Sequence, residues 1–166
     1  MVFYYPLEYT LMEITDSLSN DIKDAPDWFH SAISQDPRKE NLNHPLGKLA
    51  YQVWDRKDAQ DIILLIHGTG AHKKWWDPIG PLLNNKFSVI APDLPGMGES
   101  DHRNAYNFEE FSEALIAIIN QEKIVSNDKK IYLVGHSLGG HVAGFMASEF
   151  PDLFHGVIMI DSPIRP

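Results

Sequence analysis

The chain has 166 residues, the usual size of one domain and enough to bury a hydrophobic core. Hydrophobic residues make up 43% of it and charged residues 22%, which is typical of a folded globular domain and not of a disordered chain. Acidic residues outnumber Lys and Arg by 23 to 14, and the net charge of −9 excludes binding to a nucleic-acid phosphate backbone. Because cysteine is absent, a disulfide scaffold, a cysteine-ligated metal site and a thiol nucleophile are excluded as well.

The N-terminal segment matches neither a targeting sequence nor a regular element. Residues 1–10 lack the basic stretch and apolar run of a secretory signal, and no apolar run in the chain is long enough to span a membrane. We therefore expect a soluble, cytoplasmic protein without membrane contact. Residues 1–25 are predicted to be an N-terminal extension, and residues 26–166 a core domain.

The hydrophobic pattern after residue 26 predicts alternating strands and helices. An alternating strand near a sheet edge is expected over residues 47–54. Strands with apolar residues on both faces are expected over residues 62–66, 88–91, 131–134 and 157–160. Helices are expected over residues 27–35, 75–84, 108–122 (with Asn107 as cap) and 138–150. This order predicts an α/β fold with a mostly parallel sheet and helices on both faces.

The strongest functional motif is Gly135-His136-Ser137-Leu138-Gly139, between a predicted strand and a predicted helix. A serine at such a sharp turn has a strained backbone, and the flanking glycines remove side chains that would collide. The N–H of Leu138, at the helix N-terminus, can then point at a developing oxyanion. The motif predicts a nucleophilic Ser137; the alternative is a glycine-rich turn with an inert serine.

A second motif, His67-Gly68-Thr69-Gly70, directly follows the strand predicted over residues 62–66. A glycine turn at the carboxyl end of a strand lets backbone N–H groups face the crevice there. We predict that the N–H of Thr69 lies opposite that of Leu138 and that the two form an oxyanion hole. The alternative is a turn that only joins a strand to a helix.

Two further features are interpreted as structural. Asp93 lies in a loop rich in proline and glycine, over residues 91–100, and has the chemistry of a catalytic acid. The favoured interpretation is that its carboxylate orders the loop by accepting backbone N–H groups. Trp75 and Trp76 are likewise interpreted as packing a helix on the sheet, with pocket lining as the alternative.

Three segments, IILLIHGTG, APDLPGMGESD and YLVGHSLGGHVAG, resemble the α/β-hydrolase superfamily in the right order, and GVIMIDSP resembles its next strand. The resemblance covers residues 45 to 163 and implies an α/β-hydrolase core truncated after about the sixth strand, so that residues 26–166 form a partial domain. It is greatest to the esterase and epoxide-hydrolase group. With Ser137 in the nucleophile position, it implies hydrolysis of an ester or related bond in a small-molecule acyl substrate, with no metal or organic cofactor.

In this superfamily the catalytic serine is followed along the chain by an acid and then by a histidine, after later strands than those predicted here. Asp161, at the end of the last predicted strand, is at a position that some relatives use for the acid; the alternative is a residue that orders the strand end. None of the eight histidines is predicted to be the base. His67 is expected to bond backbone, whereas His72 and His102 are on loops near the crevice.

A serine without a general base is a weak nucleophile. We therefore expect a second chain, or a C-terminal half of the same enzyme, to complete the sheet and the triad. Until then the strand over residues 157–160 would be an apolar sheet edge. Two alternatives stay open: a hydrolase-like domain, or an inactive fragment, that binds without turnover, and an acyltransferase in which an alcohol or amine replaces water.

Overall fold

Six strands form one mixed sheet in the computed structural model, which describes residues 22–59, 61–123 and 129–163. In chain order the strands are β1 (Arg38–His44), β2 (Gly47–Trp54), β3 (Asp61–Ile66), β4 (Ser88–Pro92), β5 (Lys130–His136) and β6 (Phe154–Ile160). Their spatial order is β1-β2-β4-β3-β5-β6, and β2 runs antiparallel to both of its neighbours while the other pairs are parallel. The predicted α/β fold is confirmed.

Helices cover both faces of the sheet. In chain order they are α1 (Asp27–Ile33), a 3-10 helix (Lys73–Trp76), α2 (Gly80–Leu83), α3 (Phe108–Gln121) and α4 (Leu138–Glu149). The apolar sides of α3 and α4 build one core with the sheet, and the 3-10 helix and α2 contribute to a second core on the other face. Both faces are used because the chain moves across the sheet in one direction from β3 to β4 and in the other from β4 to β6, and parallel connections of one hand then place their helices on opposite faces.

Two local predictions differ from the structure. β1 was not predicted, because Leu42 is its only apolar residue; it forms by pairing with β2 over seven residue pairs. β2 is consequently the second strand of the sheet, near the edge as predicted. The helix predicted over residues 75–84 is divided into the 3-10 helix and α2, and Pro78 between them has no N–H to continue a helical ladder.

Part of the predicted N-terminal extension, residues 1–21, lies outside the described residues. Across the three described ranges, no helix has the length and the hydropathy that a bilayer crossing requires.

The last strand is less buried than predicted. Ile158 and Ile160 are 59% and 42% exposed. Their pairing with Val134 and His136 places them on the face opposite α4, and no described helix covers that part of the sheet. The apolar edge expected for this strand is confirmed, whereas its burial was wrong because burial requires a neighbour on both faces.

The start of α3 provides a test of this local structure. Asn107 Oδ1 accepts a hydrogen bond from the N–H of Glu110 at 2.8 Å, as predicted for a helix cap. Asn107→Ala removes this acceptor and should lower the free energy of unfolding by about 1 kcal/mol in urea denaturation. Asn120→Ala, at an exposed position of the same helix, should change it by less than about 0.5 kcal/mol. Equal losses in both variants would contradict the capping role.

Candidate active site

The loops that follow β3 and β5 meet at the carboxyl edge of the sheet. β3 lies between β4 and β5 in the sheet. The connection from β3 therefore runs to β4 on one side, and the connection from β4 leads to β5 on the other side. Loops diverge at such a reversal and leave a crevice between them. Here the crevice is a cleft of about 520 Å³, lined by Gly68, Thr69, Gly70, Ala71, His72, Lys74, Trp75, His136 and Ser137. The two motifs of the predicted site therefore line one cleft.

Ser137 occupies a sharp turn between β5 and α4. Its φ of +51° and ψ of −117° are a conformation that costs a non-glycine residue about 1–3 kcal/mol. Its N–H donates to the carbonyl of Ile160 at 2.9 Å, and its own carbonyl accepts from the N–H of Gly140 at 3.0 Å and from Ser162 Oγ at 2.9 Å. Hydrogen bonds from the end of β6, the segment after it and α4 thus hold the strained turn.

The flanking glycines are required by close backbone contacts. A Cβ at Gly135 would lie 2.1 Å from the carbonyl oxygen of Gly139, and a Cβ at Gly139 would lie 2.3 Å from that of Ile66. Backbone atoms cannot rotate away as a side chain can. The steric reason inferred from the motif is therefore confirmed, and α4 begins directly against the ends of β3 and β5.

The glycine turn after β3 packs against this serine turn. A Cβ at Gly68 would lie 3.1 Å from Ser137 Cβ and 3.0 Å from His136 Nδ1. Within the described residues, the N–H groups of Thr69 and Leu138 donate to no other group. Two backbone N–H donors are thus available in the segments that adjoin Ser137, and backbone N–H donors are the groups that stabilise an oxyanion.

His67 is part of the scaffold of the turn. Its Nε2 accepts the N–H of Leu94 at 3.0 Å, which leaves Nδ1 protonated and donating to the carbonyl of Gly68 at 2.8 Å. The side chain is fully buried, and this burial lowers its pKa from the ordinary value. The prediction that His67 bonds backbone is confirmed, and both ring nitrogens are occupied.

None of the eight histidines, all of which are described, hydrogen-bonds the side chain of Ser137. His72 lines the cleft as expected. His102 does not line this cleft; its Nδ1 lies 2.8 Å from the hydroxyl of Tyr106. His141, one helical turn after Ser137, has its Nε2 3.1 Å from the carbonyl of Pro163. In the structure, therefore, no imidazole is hydrogen-bonded to the Ser137 hydroxyl, although His72 and His136 line the cleft.

The two adjacent tryptophans have different surroundings. Trp76 is 5% exposed in the second core, so the packing interpretation is confirmed for it. Trp75 is 55% exposed and lines the cleft, so that interpretation is wrong for Trp75. Its ring stacks on His136, with centroids 5.7 Å apart and planes 21° apart. Nδ1 of His136 is buried and has no hydrogen-bond partner among the described residues.

Asp161 lies at the same edge of the sheet as Ser137. It directly follows Ile160, whose carbonyl binds the Ser137 N–H, and it has a φ of +48°. Its side chain is exposed and makes no hydrogen bond or ion pair with a described residue. The carboxylate is therefore near the serine turn in the fold but has no partner to orient.

Asp93 orders the loops beneath the cleft, as the favoured interpretation held. Oδ1 accepts the N–H of Lys73 at 2.6 Å, while Oδ2 accepts the N–H of Glu99 at 2.8 Å and Lys73 Nζ at 2.6 Å. The Lys73 and Asp93 side chains are 3% and 0% exposed. Glu99 also bonds Lys73 Nζ at 2.9 Å, which lowers the pKa of Glu99. Sequence reasoning missed the buried Lys73, because nothing in the pattern separates it from Lys74.

A mostly parallel sheet with a strained serine turn after β5 defines an α/β-hydrolase type of architecture. The family model for the alpha/beta hydrolase fold matches residues 61–166, and the chain belongs to this family. Over 118 residues it is 30% identical to a serine hydrolase-like protein of Danio rerio, an alignment that covers 71% of this chain and 36% of that protein.

Two solved structures show the same likeness. A thioesterase domain from the curacin biosynthetic pathway superposes with a TM-score of 0.69 at 25% identity, over 80% of this chain and 47% of that one. The 2-hydroxy-6-oxo-6-phenylhexa-2,4-dienoate hydrolase of Rhodococcus sp. strain RHA1 superposes with a TM-score of 0.68 at 26% identity, over 79% and 49%. The chain thus spans about half of these structures and, in sequence, about a third of the Danio rerio relative.

The burial of His67 predicts a pH dependence of stability. Its folded-state pKa lies below the unfolded value of about 6.5, so the folded chain binds fewer protons than the unfolded chain between the two values. The contribution of His67 to the free energy of unfolding is therefore complete above about pH 6.5, and it is lost as the pH falls from that value through the folded-state pKa. In NMR titrations, the His67 ring signal should therefore show a midpoint below the ordinary histidine value of about 6.5. A midpoint at or above that value would contradict the assignment.

The buried pair predicts a structural role for Asp93. Asp93→Asn puts an amide donor, or an uncharged oxygen, against Lys73 Nζ and the N–H of Glu99. We expect the free energy of unfolding to fall by about 3–5 kcal/mol, because the buried ammonium of Lys73 loses its buried counter-charge and keeps only the exposed carboxylate of Glu99. Asp152→Asn, at an exposed position, is the matched control and should change stability by less than about 0.5 kcal/mol. A stable Asp93→Asn protein would refute the loop-ordering role.

Proposed function

We propose that this chain is the serine-bearing half of a hydrolase that cleaves an ester or related acyl bond, with the general base supplied from outside the chain. The observation that carries the proposal is the strained conformation of Ser137, at φ +51°, directly against the glycine turn at Gly68 and at the wall of a cleft. Such strain persists only where the surrounding structure enforces it, and it concentrates at functional sites. The serine hydrolase-like relative and the thioesterase domain support the same chemistry.

The reaction begins with attack by Ser137 Oγ on the acyl carbonyl carbon. As the Oγ–carbon bond forms, the carbonyl electron pair moves to its oxygen, and this oxyanion accepts hydrogen bonds from the N–H groups of Thr69 and Leu138. The positive N-terminal end of the twelve-residue helix α4 stabilises the same charge. The base takes the Oγ proton. The electron pair of the oxyanion then re-forms the carbonyl, the bond from the carbonyl carbon to the leaving group breaks, and the base gives its proton to the leaving group. Water attacks the acyl-serine in the same way: the base takes a proton from water and returns it to Ser137 Oγ as the acyl–Oγ bond breaks.

The open side of the sheet supports a base from outside. Tyr132 and Val134 on β5 pack against the second core, whereas Ile158 and Ile160 on β6 share the same face and are covered by no described helix. An apolar face and a free strand edge favour pairing with further strands and helices. We propose that a C-terminal half or a second chain occupies them and brings the histidine, and that Asp161 orients it.

A fluorophosphonate probe tests the proposal on the 166-residue chain, since it reacts much faster with an activated serine than with an ordinary one. We expect slow formation of one adduct, detected by intact mass, and an acceleration of about tenfold or more when free imidazole stands in for the absent base, as general bases contribute about 10²–10⁴. Ser137→Ala should abolish the adduct, and Ser34→Ala, at an exposed position, should leave it unchanged.

Two outcomes would count against different parts of the proposal. A folded chain that forms no Ser137 adduct, with or without imidazole, would refute the nucleophile and favour the second candidate, a domain that binds without turnover. The lack of any histidine bonded to Ser137 in the described residues is what favours that candidate. A rapid adduct without imidazole would instead refute a base from outside the chain.

A further inference from the structure

We propose that the cleft beside Ser137 selects acyl groups that also carry a carboxylate, and that Lys74 binds this carboxylate. The selection of substrates rests on the proposed function, whereas the binding of a carboxylate can be tested without catalysis. Lys74 is then a specificity-determining residue of the cleft and has no part in bond making.

The charged side chain that lines the cleft has the opposite sign to the net charge of the protein. The chain carries a net charge of −9, yet Lys74 lines the cleft and no acidic residue of the described ranges does. Its ionisable lining residues are all basic: His72, Lys74 and His136. The N-terminal end of α4 adds a positive partial charge at Ser137. A concave site lined by one sign of charge raises the local concentration of ligands of the other sign.

Two adjacent lysines are used differently at this site. Lys73 points into the protein, where its Nζ bonds Asp93 at 2.6 Å and Glu99 at 2.9 Å. Lys74 is exposed, lines the cleft, and forms no ion pair with a described residue. The charge of Lys74 contributes to the lowered pKa of Glu99, but no ion pair joins the two side chains, so the ammonium of Lys74 keeps its hydrogen-bond donors available to a ligand.

Trp75 indicates the rest of the ligand. An indole ring that is 55% exposed at the wall of a cleft is a large apolar surface left in water. Tryptophan in such a position commonly contributes a rigid binding surface with one apolar face. The stack on His136, 5.7 Å between centroids, restricts the orientation of the indole ring. A ligand with an apolar body and a carboxylate can pack its apolar part on Trp75 and pair its carboxylate with Lys74.

The test compares two ligands that differ in charge: 4-phenylbutyrate and its uncharged amide. Binding to the 166-residue chain is followed through the indole N–H signals of its four tryptophans by NMR, with Trp75→Phe to assign Trp75. We expect both ligands to shift the Trp75 signal, and the carboxylate to bind about three to five times more tightly at low salt, as for an exposed ion pair. At about 1 M salt the preference should disappear.

Lys74→Gln should remove the preference for the carboxylate and leave binding of the amide unchanged. Lys57→Gln is the matched control, because Lys57 is also exposed and does not line the cleft. Equal affinities for the two ligands, a preference that survives Lys74→Gln, or no shift of Trp75 with either ligand would overturn the inference.

The two proposals fail in different experiments. A carboxylate preference in a chain that forms no fluorophosphonate adduct would refute the catalysis and leave the anion site standing. An adduct at Ser137 in a chain without the preference would refute the role of Lys74 and leave the catalysis standing.

Discussion

The start of α4 lies against the ends of β3 and β5 at a distance that leaves no room for a Cβ at Gly135 or Gly139. This contact sets the position of Ser137, because the chain must reverse direction within one residue and adopts φ +51° to do so. The strain of about 1–3 kcal/mol is offset by the hydrogen bonds to Ile160 and Ser162, each of which stabilises by about 1 kcal/mol. The cleft and its backbone donors depend on this reversal.

The buried pair of Lys73 and Asp93 positions the opposite wall of the cleft. Burial of two charges is expensive, and the cost is repaid only when the remaining hydrogen-bonding capacity is used. Here Asp93 accepts two backbone N–H groups besides the ammonium, so the loop after β3 and the loop after β4 are joined at one carboxylate. The glycine turn that carries Thr69 is held between this pair and the serine turn. The hydrogen bonds of Asp93 thus fix one wall of the cleft, and close backbone packing fixes the other.

At the β6 end of the sheet, one face is covered by a helix and the other face is exposed. α4 covers the face that bears Val157 and Met159, whereas Ile158 and Ile160 are left exposed. The serine turn is complete in its backbone, and it has no imidazole partner among the described residues. These two features lie side by side, because Ile160, whose carbonyl binds the Ser137 N–H, is also one of the exposed residues of this face.

Much of the architecture follows from the sequence, because short apolar runs bounded by turn residues favour buried strands and because Gly135, Gly139 and Asn107 act on their immediate neighbours. β1 could not be predicted in this way, since its polar residues pair with β2 through backbone groups that every sequence has. Among the site residues, the sequence by itself determined Ser137 and the two turns. Only the tertiary structure decided that Lys73 is buried and Lys74 exposed, and that Trp76 is core and Trp75 cleft wall. Adjacent residues of the same type have the same local propensities, so what distinguishes them is the set of distant groups that each one meets.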